Sequence, residues 1–303
     1  MSDPGLSVVI PSWNGRALLE EHLPAAIGAV AGIAGAEVVV VDDASTDGTA
    51  DGISARFPAV RVVRRPGNGG FGPAANDGVA ASRGAVVLLL NNDVSLPAGA
   101  AELLARALAS SPEAFAVVPS IIRRATGEDE ALTRIRFRWG VVSTSLGCEA
   151  GADPAYACGG AMAFRRTDFL ALGGFDPLFA PFYWEDVDLS YRARKRGRRI
   201  LHVGGAKVIH DHGRTIGARI DRRRVLRTYE RNRLLFTWKN LTEPAAWRKH
   251  VTLLPLKLVW DLAAHRSFVL GFRDAWALRR EVAPLRRRER DESVIEDREL
   301  LPE

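Results

Sequence analysis

Between Cys158 and His210 the chain gathers side chains that could do chemistry. Trp184-Glu185-Asp186-Val187-Asp188 offers three carboxylates at one helix start, and His210 follows Asp186 by 24 positions. Carboxylates and imidazole are ligands for divalent cations and common proton acceptors in catalysis. Taken alone, the acidic run also fits an ordinary helix start, where negative side chains complement the positive end of the dipole. Its position gives it weight. It follows an N-terminal half patterned as a nucleotide-binding sheet, and the combination suggests group transfer from an activated donor.

The elements that must position these groups come first in the chain. Leu6 to Pro11 is a short apolar run ended by proline, read as a strand, and a helix follows from about Arg16 to Val30. Ala36 to Asp42 is β-branched without alternation, as a parallel strand buried on both faces would be. Asp43-Ala-Ser-Thr-Asp-Gly48 then turns into a helix, with Ser45 or Thr46 as the expected cap. Val60 to Val63 reads as a third strand and Gly67 to Gly72 as a flexible loop, with Pro73 in the first turn of the next helix. Ala85 to Leu90 is a fourth strand, stopping at Asn91-Asn92-Asp93; a helix over Pro97 to Ser110 and a strand over Ala114 to Pro119 follow. This alternation implies right-handed crossovers and a mainly parallel open sheet with flanking helices, an α/β fold. Pro11, Asp42, Asp43, Asn92 and Asp93 then fall at the carboxyl ends of their strands, the edge where such sheets bind ligands.

Ile121 to Ala157 has poor periodicity and reads as irregular structure or a hairpin. Gly159 to Arg165 reads as a strand lining the site, Gly173 to Pro177 as a turn, and the aromatic-rich Phe179 to Trp184 leads into a helix from about Glu185 to Lys195. Two short strands, Arg199 to Val203 and Lys207 to His210, close this part. After Asp221 the pattern is helical to about Arg290, and Phe268, Phe272 and Trp276 share one helical face. Beside Arg279, Arg280 and Arg286 to Arg288, that stripe reads either as core or as attachment to a membrane surface. The expected organisation is a domain over residues 1–235 and a basic helical region over 236–303.

A chain of 303 residues with 47% hydrophobic content can bury a sizeable core. Its two cysteines, Cys148 and Cys158, cannot build a disulfide framework and read as small buried hydrophobes in a reducing, cytoplasmic setting. Met1-Ser-Asp-Pro-Gly5 lacks the features of a secretory signal, and no stretch reaches the roughly 18 apolar residues of a membrane span. A soluble protein, or one peripheral at the inner face of the cell membrane, is expected. The net charge of +6 is unevenly spread: residues 1–213 carry 21 Lys/Arg against 23 Asp/Glu, and residues 214–303 carry 21 against 13. So basic a tail could meet nucleic acid, anionic lipid or an anionic acceptor, but it has no zinc-finger or RNA-module motif to favour nucleic acid.

Gly67-Asn-Gly-Gly-Phe-Gly72 matches the G-x-G-x-x-G pattern of dinucleotide-binding loops, with Asp93 about twenty positions on. It follows the third strand rather than the first, and Arg64-Arg65-Pro66 interrupts its approach. An NAD-dependent oxidoreductase is therefore the weaker alternative, and it would leave Glu185, Asp186 and His210 without a use.

The ordered set Val8–Gly15, Val41–Gly48, Asn68–Gly72 with Asn76, Leu90–Asp93, Gly173–Asp176, Trp184–Leu189 and Val208–His210 resembles inverting family 2 glycosyltransferases of the GT-A fold, in particular the rhamnosyltransferase-like branch. The resemblance implies a nucleotide-sugar donor, with rhamnose from dTDP-rhamnose preferred, and a glycan or polyprenyl-linked acceptor. It implies that Pro11, Ser12 and Asn14 line the base and ribose pocket, that Asp43 bonds the pyrimidine ring, and that Asn68, Gly69, Asn76 and Asn92 complete the donor site. Asp93 and His210 would hold Mg²⁺ or Mn²⁺, with His212 as a competitor for the second position. Where the family carries D-x-D this chain has Asn-Asn-Asp, one carboxylate fewer. Asp186 would be the catalytic base, with Glu185 orienting the acceptor or capping the helix; Tyr183 and Trp184 would stack on a sugar and Arg231 would face the acceptor. A catalytically silent nucleotide-sugar binding module is the rival from another class.

Overall fold

Four successive runs of β-branched and leucine residues form the centre of the molecule. The computed structural model describes residues 5–147, 152–211, 221–264 and 266–301; Cys148 and His212 lie outside them. Strands β1 (Leu6–Ser12), β2 (Glu37–Asp42) and β4 (Val86–Leu90) are buried along their whole length, while β3 (Arg61–Arg64) is half-exposed at one edge. Helices α1 (Arg16–Val30), α2 (Thr49–Arg56) and α3 (Phe71–Ala81) are the crossovers between them. Further along come β5 (Val94–Ser95), α4 (Ala100–Ser110), β6 (Ala114–Arg123), the hairpin β7 (Thr133–Arg138) and β8 (Val141–Leu146), and β9 (Ala161–Arg165).

The main sheet has the order β3-β2-β1-β4-β9-β6-β10-β5, where β10 is Arg199–His210. The pairs β1–β2, β1–β4, β2–β3 and β6–β10 are parallel. The strand at Ala161–Arg165 runs antiparallel between β4 and β6, so the sheet is mostly rather than wholly parallel. The chain winds outward from β1 to β3 and returns to the other side of β1 as β4. That reversal opens a crevice at the carboxyl ends of β1 and β4, the usual ligand position in an open sheet.

Several expected details differ. The helix after β2 starts at Thr49, not behind a Ser45 or Thr46 cap; Gly48 takes a left-handed φ of 73° and Asp47 accepts from the Thr49 N–H at 3.1 Å. Ser45 and Thr46 are instead bonded to Asn14, lacing the loop after β1 to the loop after β2. Helix α4 begins at Ala100 rather than Pro97, behind left-handed Gly99. The two short strands expected before His210 are one, because the register shift at Gly204-Gly205 bends β10 without ending it.

Helices α5 (Arg166–Ala171) and α6 (Glu185–Lys195) precede β10, and α7 (Arg222–Asn240), α8 (Pro244–Ala264), α9 (Ser267–Ala277), α10 (Arg279–Asp291) and α11 (Asp297–Leu300) follow the described part of the sheet. A second apolar cluster joins Trp184, Val187 and Tyr191 of the α6 region to Leu234, Phe236, Phe268, Val282 and Leu300. The Phe268/Phe272/Trp276 stripe runs from core to surface: Phe268 is buried, Phe272 is half-buried and Trp276 is 52% exposed, the last two packing against Trp238. Among the described residues no helix is long and apolar enough to cross a membrane.

Candidate active site

At the β1/β4 crevice Pro11 and Ser12 end one strand and Asn91-Asn92-Asp93 follow the other. The Asn92 amide donates to Ser12 Oγ at 2.9 Å. Asn92, the middle residue of Asn-Asn-Asp, thereby ties the two strand ends together. Gly15 leaves the space for it, since a Cβ there would stand 2.3 Å from both atoms of the bond.

Asp43, buried just past β2, accepts from the Gly69 N–H at 3.0 Å, the Gly70 N–H at 2.8 Å and the Arg65 guanidinium. The amides that could cradle a pyrophosphate already hold an internal carboxylate, which removes the physical basis of the dinucleotide alternative. Gly70 is required twice: its φ is 87°, and a Cβ would lie 2.2 Å from the Pro181 carbonyl, which accepts from the Phe71 N–H. Asn68 lines the cavity, whereas Asn14, Gly69 and Asn76 do not. Asn14 is engaged with Ser45 and Thr46, and the Asn76 amide both donates to and accepts from the Phe175 backbone, at 2.8 and 2.9 Å. These three shape the site from outside its lining.

His210 Nε2 lies 3.2 Å from Asp93 Oδ1, and His210 Nδ1 lies 2.5 Å from Glu130 Oε2. Burial pulls the imidazole pKa down, but the two carboxylates outweigh it and hold His210 up at about 9. The donor set fits a divalent ion. Two ligands at right angles on an ion with bonds of about 2.1 Å stand about 3 Å apart, and a carboxylate behind a ligating histidine is the usual orienting partner. Glu130 was invisible in the sequence, because it lies in the segment without periodicity. Glu21, His22 and Asp211 form a second carboxylate–imidazole group, in which His22 Nδ1 lies 3.0 Å from Ser95 Oγ.

Helix α6 begins with two non-glycine residues at positive φ, Tyr183 at 71° and Trp184 at 77°. Bulky residues rarely adopt this conformation, and such strain is typical of positions that aim functional groups. Asn232 fixes the turn by donating to the carbonyls of Phe179, Phe182 and Tyr183. Trp184 is buried against Tyr229 and Phe236 and is largely core, while Tyr183 reaches the surface of the cavity. Asp186 Oδ2 accepts from the Gly159 N–H at 2.9 Å and Oδ1 from the Val187 N–H at 2.8 Å. Burial raises its pKa despite these bonds. The helix start alone suggested a fully ionised carboxylate; the surrounding wall makes Asp186 more basic. Glu185 is pushed up to about 8, by burial first and then by Asp186, and its Oε2 is buried with no hydrogen-bond partner among the described residues.

These groups share one cavity of about 860 Å³. A Cβ on Gly159 would stand 3.6 Å from Asp186 Oδ2, and one on Gly160 3.7 Å from His210 Cε1, so adjacent residues separate the candidate base from the candidate metal ligands. On the far wall Thr144, Tyr229 and Arg224 contribute. Arg231 does not; its guanidinium is bonded to Asn232 Oδ1 and the Ala180 carbonyl. The cation on the cavity wall from this helix is Arg224, two turns earlier. Cys158 also lines the cavity, and burial, then Asp186, pushes its thiol up to about 12.

A family profile described as glycosyl transferase family 2 matches residues 7–173. The N-acetylglucosaminyl-diphospho-decaprenol L-rhamnosyltransferase of Mycobacterium tuberculosis (strain ATCC 25618 / H37Rv) is 28% identical over 209 residues, spanning 59% of this chain and 68% of that protein. GalNAc-T7, solved with UDP, GalNAc and Mn²⁺, has a TM-score of 0.60 at 17% identity, over 87% of this chain and 58% of that one. The mannosyltransferase PcManGT from Pyrobaculum calidifontis, solved with GDP-Man and Mn²⁺, has a TM-score of 0.54 at 20% identity, over 95% of this chain and 83% of that one. At these identities the two solved structures are alike to this chain in fold.

Proposed function

The chain belongs to the family 2 glycosyltransferases, and we propose that it moves a sugar, with inversion, from a nucleotide donor to a glycan or lipid-linked acceptor. The observation that carries this reading is the sharing of one cavity by Asp43, the Asp93–His210 pair and Asp186. Pro11, Ser12, Asp43 and Asn68 would receive the nucleoside; Asp93 and His210, oriented by Glu130, would hold Mg²⁺ or Mn²⁺. When bound, a divalent ion supplies positive charge to the leaving diphosphate.

In a single displacement the acceptor oxygen bonds to the anomeric carbon as the bond to the diphosphate breaks on the opposite face. The hydroxyl proton passes to Asp186. Its two backbone hydrogen bonds fix its orientation, and its raised pKa brings it closer to the acidity that suits a base near neutral pH. Glu185, held at about 8, would be protonated there and would shape the acceptor side together with Tyr183. Rhamnose from dTDP-rhamnose is the preferred donor, supported by the mycobacterial rhamnosyltransferase relative. Cytoplasmic residence at the inner membrane face belongs to the same proposal.

Thermal stability against UDP, dTDP, GDP and NAD, each with and without Mn²⁺, tests the donor site. Saturation at about 100 times the dissociation constant should add roughly 2.7 kcal/mol. A metal-dependent rise with one nucleoside diphosphate is expected. A rise with NAD alone, or with none of them, would sink the reading, and binding without transfer to any acceptor would leave only a nucleotide-sugar binding module.

A further inference from the structure

Helix α8 is apolar on two faces, but only one of them is packed. Its inner face turns His250, Leu254, Leu258 and Asp261 toward the second apolar cluster and the neighbouring helices. Its outer face presents Val251, Thr252, Pro255, Leu256, Val259 and Trp260, at the spacing of a single helical stripe. The exposures decide its character: Leu256 is 67% exposed, Val259 71% and Trp260 76%. Asp261, the one carboxylate within the helix, is turned inward and accepts from the Phe268 and Val269 N–H groups.

The hairpin turn extends this surface. Trp139, 75% exposed, stands next to Gly140, whose position is fixed against Lys249, His250 and Leu253. His250, buried, is bonded on one side to Trp238 and on the other to the Gly140 carbonyl, so it clamps the turn onto α8. Exposed arginines flank the patch along the chain. Arg138 precedes Trp139, Arg248 lies one turn before Thr252, and Arg266 follows the helix. Lys249 and Lys257 lie over the rings of Phe137 and Phe268, keeping their stems on apolar surface.

We propose that α8 and the Trp139 turn form a docking surface for an anionic lipid bilayer, with the helix lying in the plane of the headgroups. An apolar helix face with one exposed tryptophan, a second in the adjoining turn, flanking arginines and no outward carboxylate has the composition of an interfacial surface. A second copy fits poorly, since a two-fold contact would bring two surfaces of the same positive charge together. The hairpin relates the surface to the cavity: Trp139 is at one end of β7–β8 and Thr144 and Leu146 line the cavity at the other, about 20 Å away at 3.4 Å per residue. A lipid-linked acceptor could thus be met at the membrane; that consequence rests on the transferase reading, whereas the docking does not.

Co-sedimentation of the full chain with phosphatidylcholine vesicles, and with vesicles of equal parts phosphatidylcholine and phosphatidylglycerol, tests it. Binding to the mixed vesicles should exceed binding to the neutral ones at least about tenfold, and L256E/W260E should lower it at least about tenfold without changing the melting temperature. Trp139→Asn, which suits the left-handed turn and leaves α8 untouched, should weaken binding by about threefold. No binding to either vesicle, equal binding to both, or undiminished binding of L256E/W260E would overturn the proposal. So would a dimer in solution that L256E/W260E converts to monomer, because the face would then join two copies. Nucleotide-dependent stabilisation, measured on the same samples, separates a failed surface from a failed donor site.

Discussion

Asp186 and Glu185 are neighbours with different surroundings, and the difference assigns their parts. Asp186 is held by two backbone N–H groups, while Glu185 keeps a buried oxygen with no partner among the described residues. Asp186→Asn should leave nucleotide affinity nearly intact and lower transfer at least about a hundredfold, the low end for a lost general base; normal turnover in that variant would refute the assignment. Glu130→Gln should weaken Mn²⁺ binding by about 10- to 100-fold, read by calorimetry in the presence of nucleotide, while metal-free nucleotide binding stays the same. Unchanged Mn²⁺ affinity would mean that Glu130 does not orient His210. Glu185 also makes stability depend on pH. Its folded pKa of about 8 lies above the ordinary 4.5, so the folded state holds the proton more tightly, and stability falls as pH rises between those values. The slope is at most about 1.4 kcal/mol per pH unit. His210, held at about 9, adds a decline of the same sign above 6.5, so the window from about pH 5 to 6.5 isolates the carboxylates. Denaturation across that window should show a decline that Glu185→Gln flattens; equal slopes in both proteins would count against the buried, protonated glutamate.

Helix α6 can carry strained residues at its start because its far side is anchored. Asp188, fully buried, meets Arg192 at 2.7 Å and Lys239 at 2.9 Å and accepts from Asn240, and Lys239 reaches on to Asp176. Burial would raise the Asp188 pKa, but the Lys239 and Arg192 charges more than reverse it. Lys239→Met removes one partner of a buried network and should destabilise by about 3–5 kcal/mol in chemical denaturation. A loss under about 1 kcal/mol would show the network to be dispensable. The helix itself was legible in the sequence from Glu185 to Lys195, through the acidic residues at its start and the basic ones in its last turn, and α1 was legible through the apolar stripe Leu18, Leu19, Leu23, Ala26 and Val30. So was the sheet edge that carries Pro11, Asp43 and Asp93. What was not legible depends on distant partners. Glu130 acquires its meaning only when the segment after β6 folds back on that strand, its N–H donating to the Ile121 carbonyl next to β10, and Asn76 and Asn232 only when loops far away in the chain come within reach. The acceptor cation was read as Arg231 because it sits in a basic run; Arg224, two turns earlier on the same helix face, is the arginine that lines the cavity, while Arg231 is bonded to the Ala180 carbonyl.

At the scale of the whole molecule, the sheet with its C-terminal helices is a GT-A fold, and the basic tail is built into it. Asp297, buried near the end of the described chain, accepts from Tyr191 Oη at 2.8 Å and lies 3.0 Å from Lys195 Nζ, both on α6. Arg196 reaches Glu289 in the same way, and Phe268, Val282, Leu300 and Leu301 close the apolar cluster around Tyr191 and Trp184. The helix that carries Asp186 is thus roofed by the last third of the chain. Lys195 is fully buried, and burial lowers its pKa against the pull of Asp297. Without the tail that lysine would lose its carboxylate, which costs about 3–5 kcal/mol for a buried charge, and Tyr191 would lose its acceptor. Whole domains are stable by only about 5–15 kcal/mol. Ending the chain after Leu262 should therefore lower the melting temperature sharply or abolish cooperative unfolding, and take nucleotide binding with it. A truncated protein that unfolds cooperatively near the full-length temperature and still binds nucleotide would show that residues 1–235 stand alone and that the tail is an appendage.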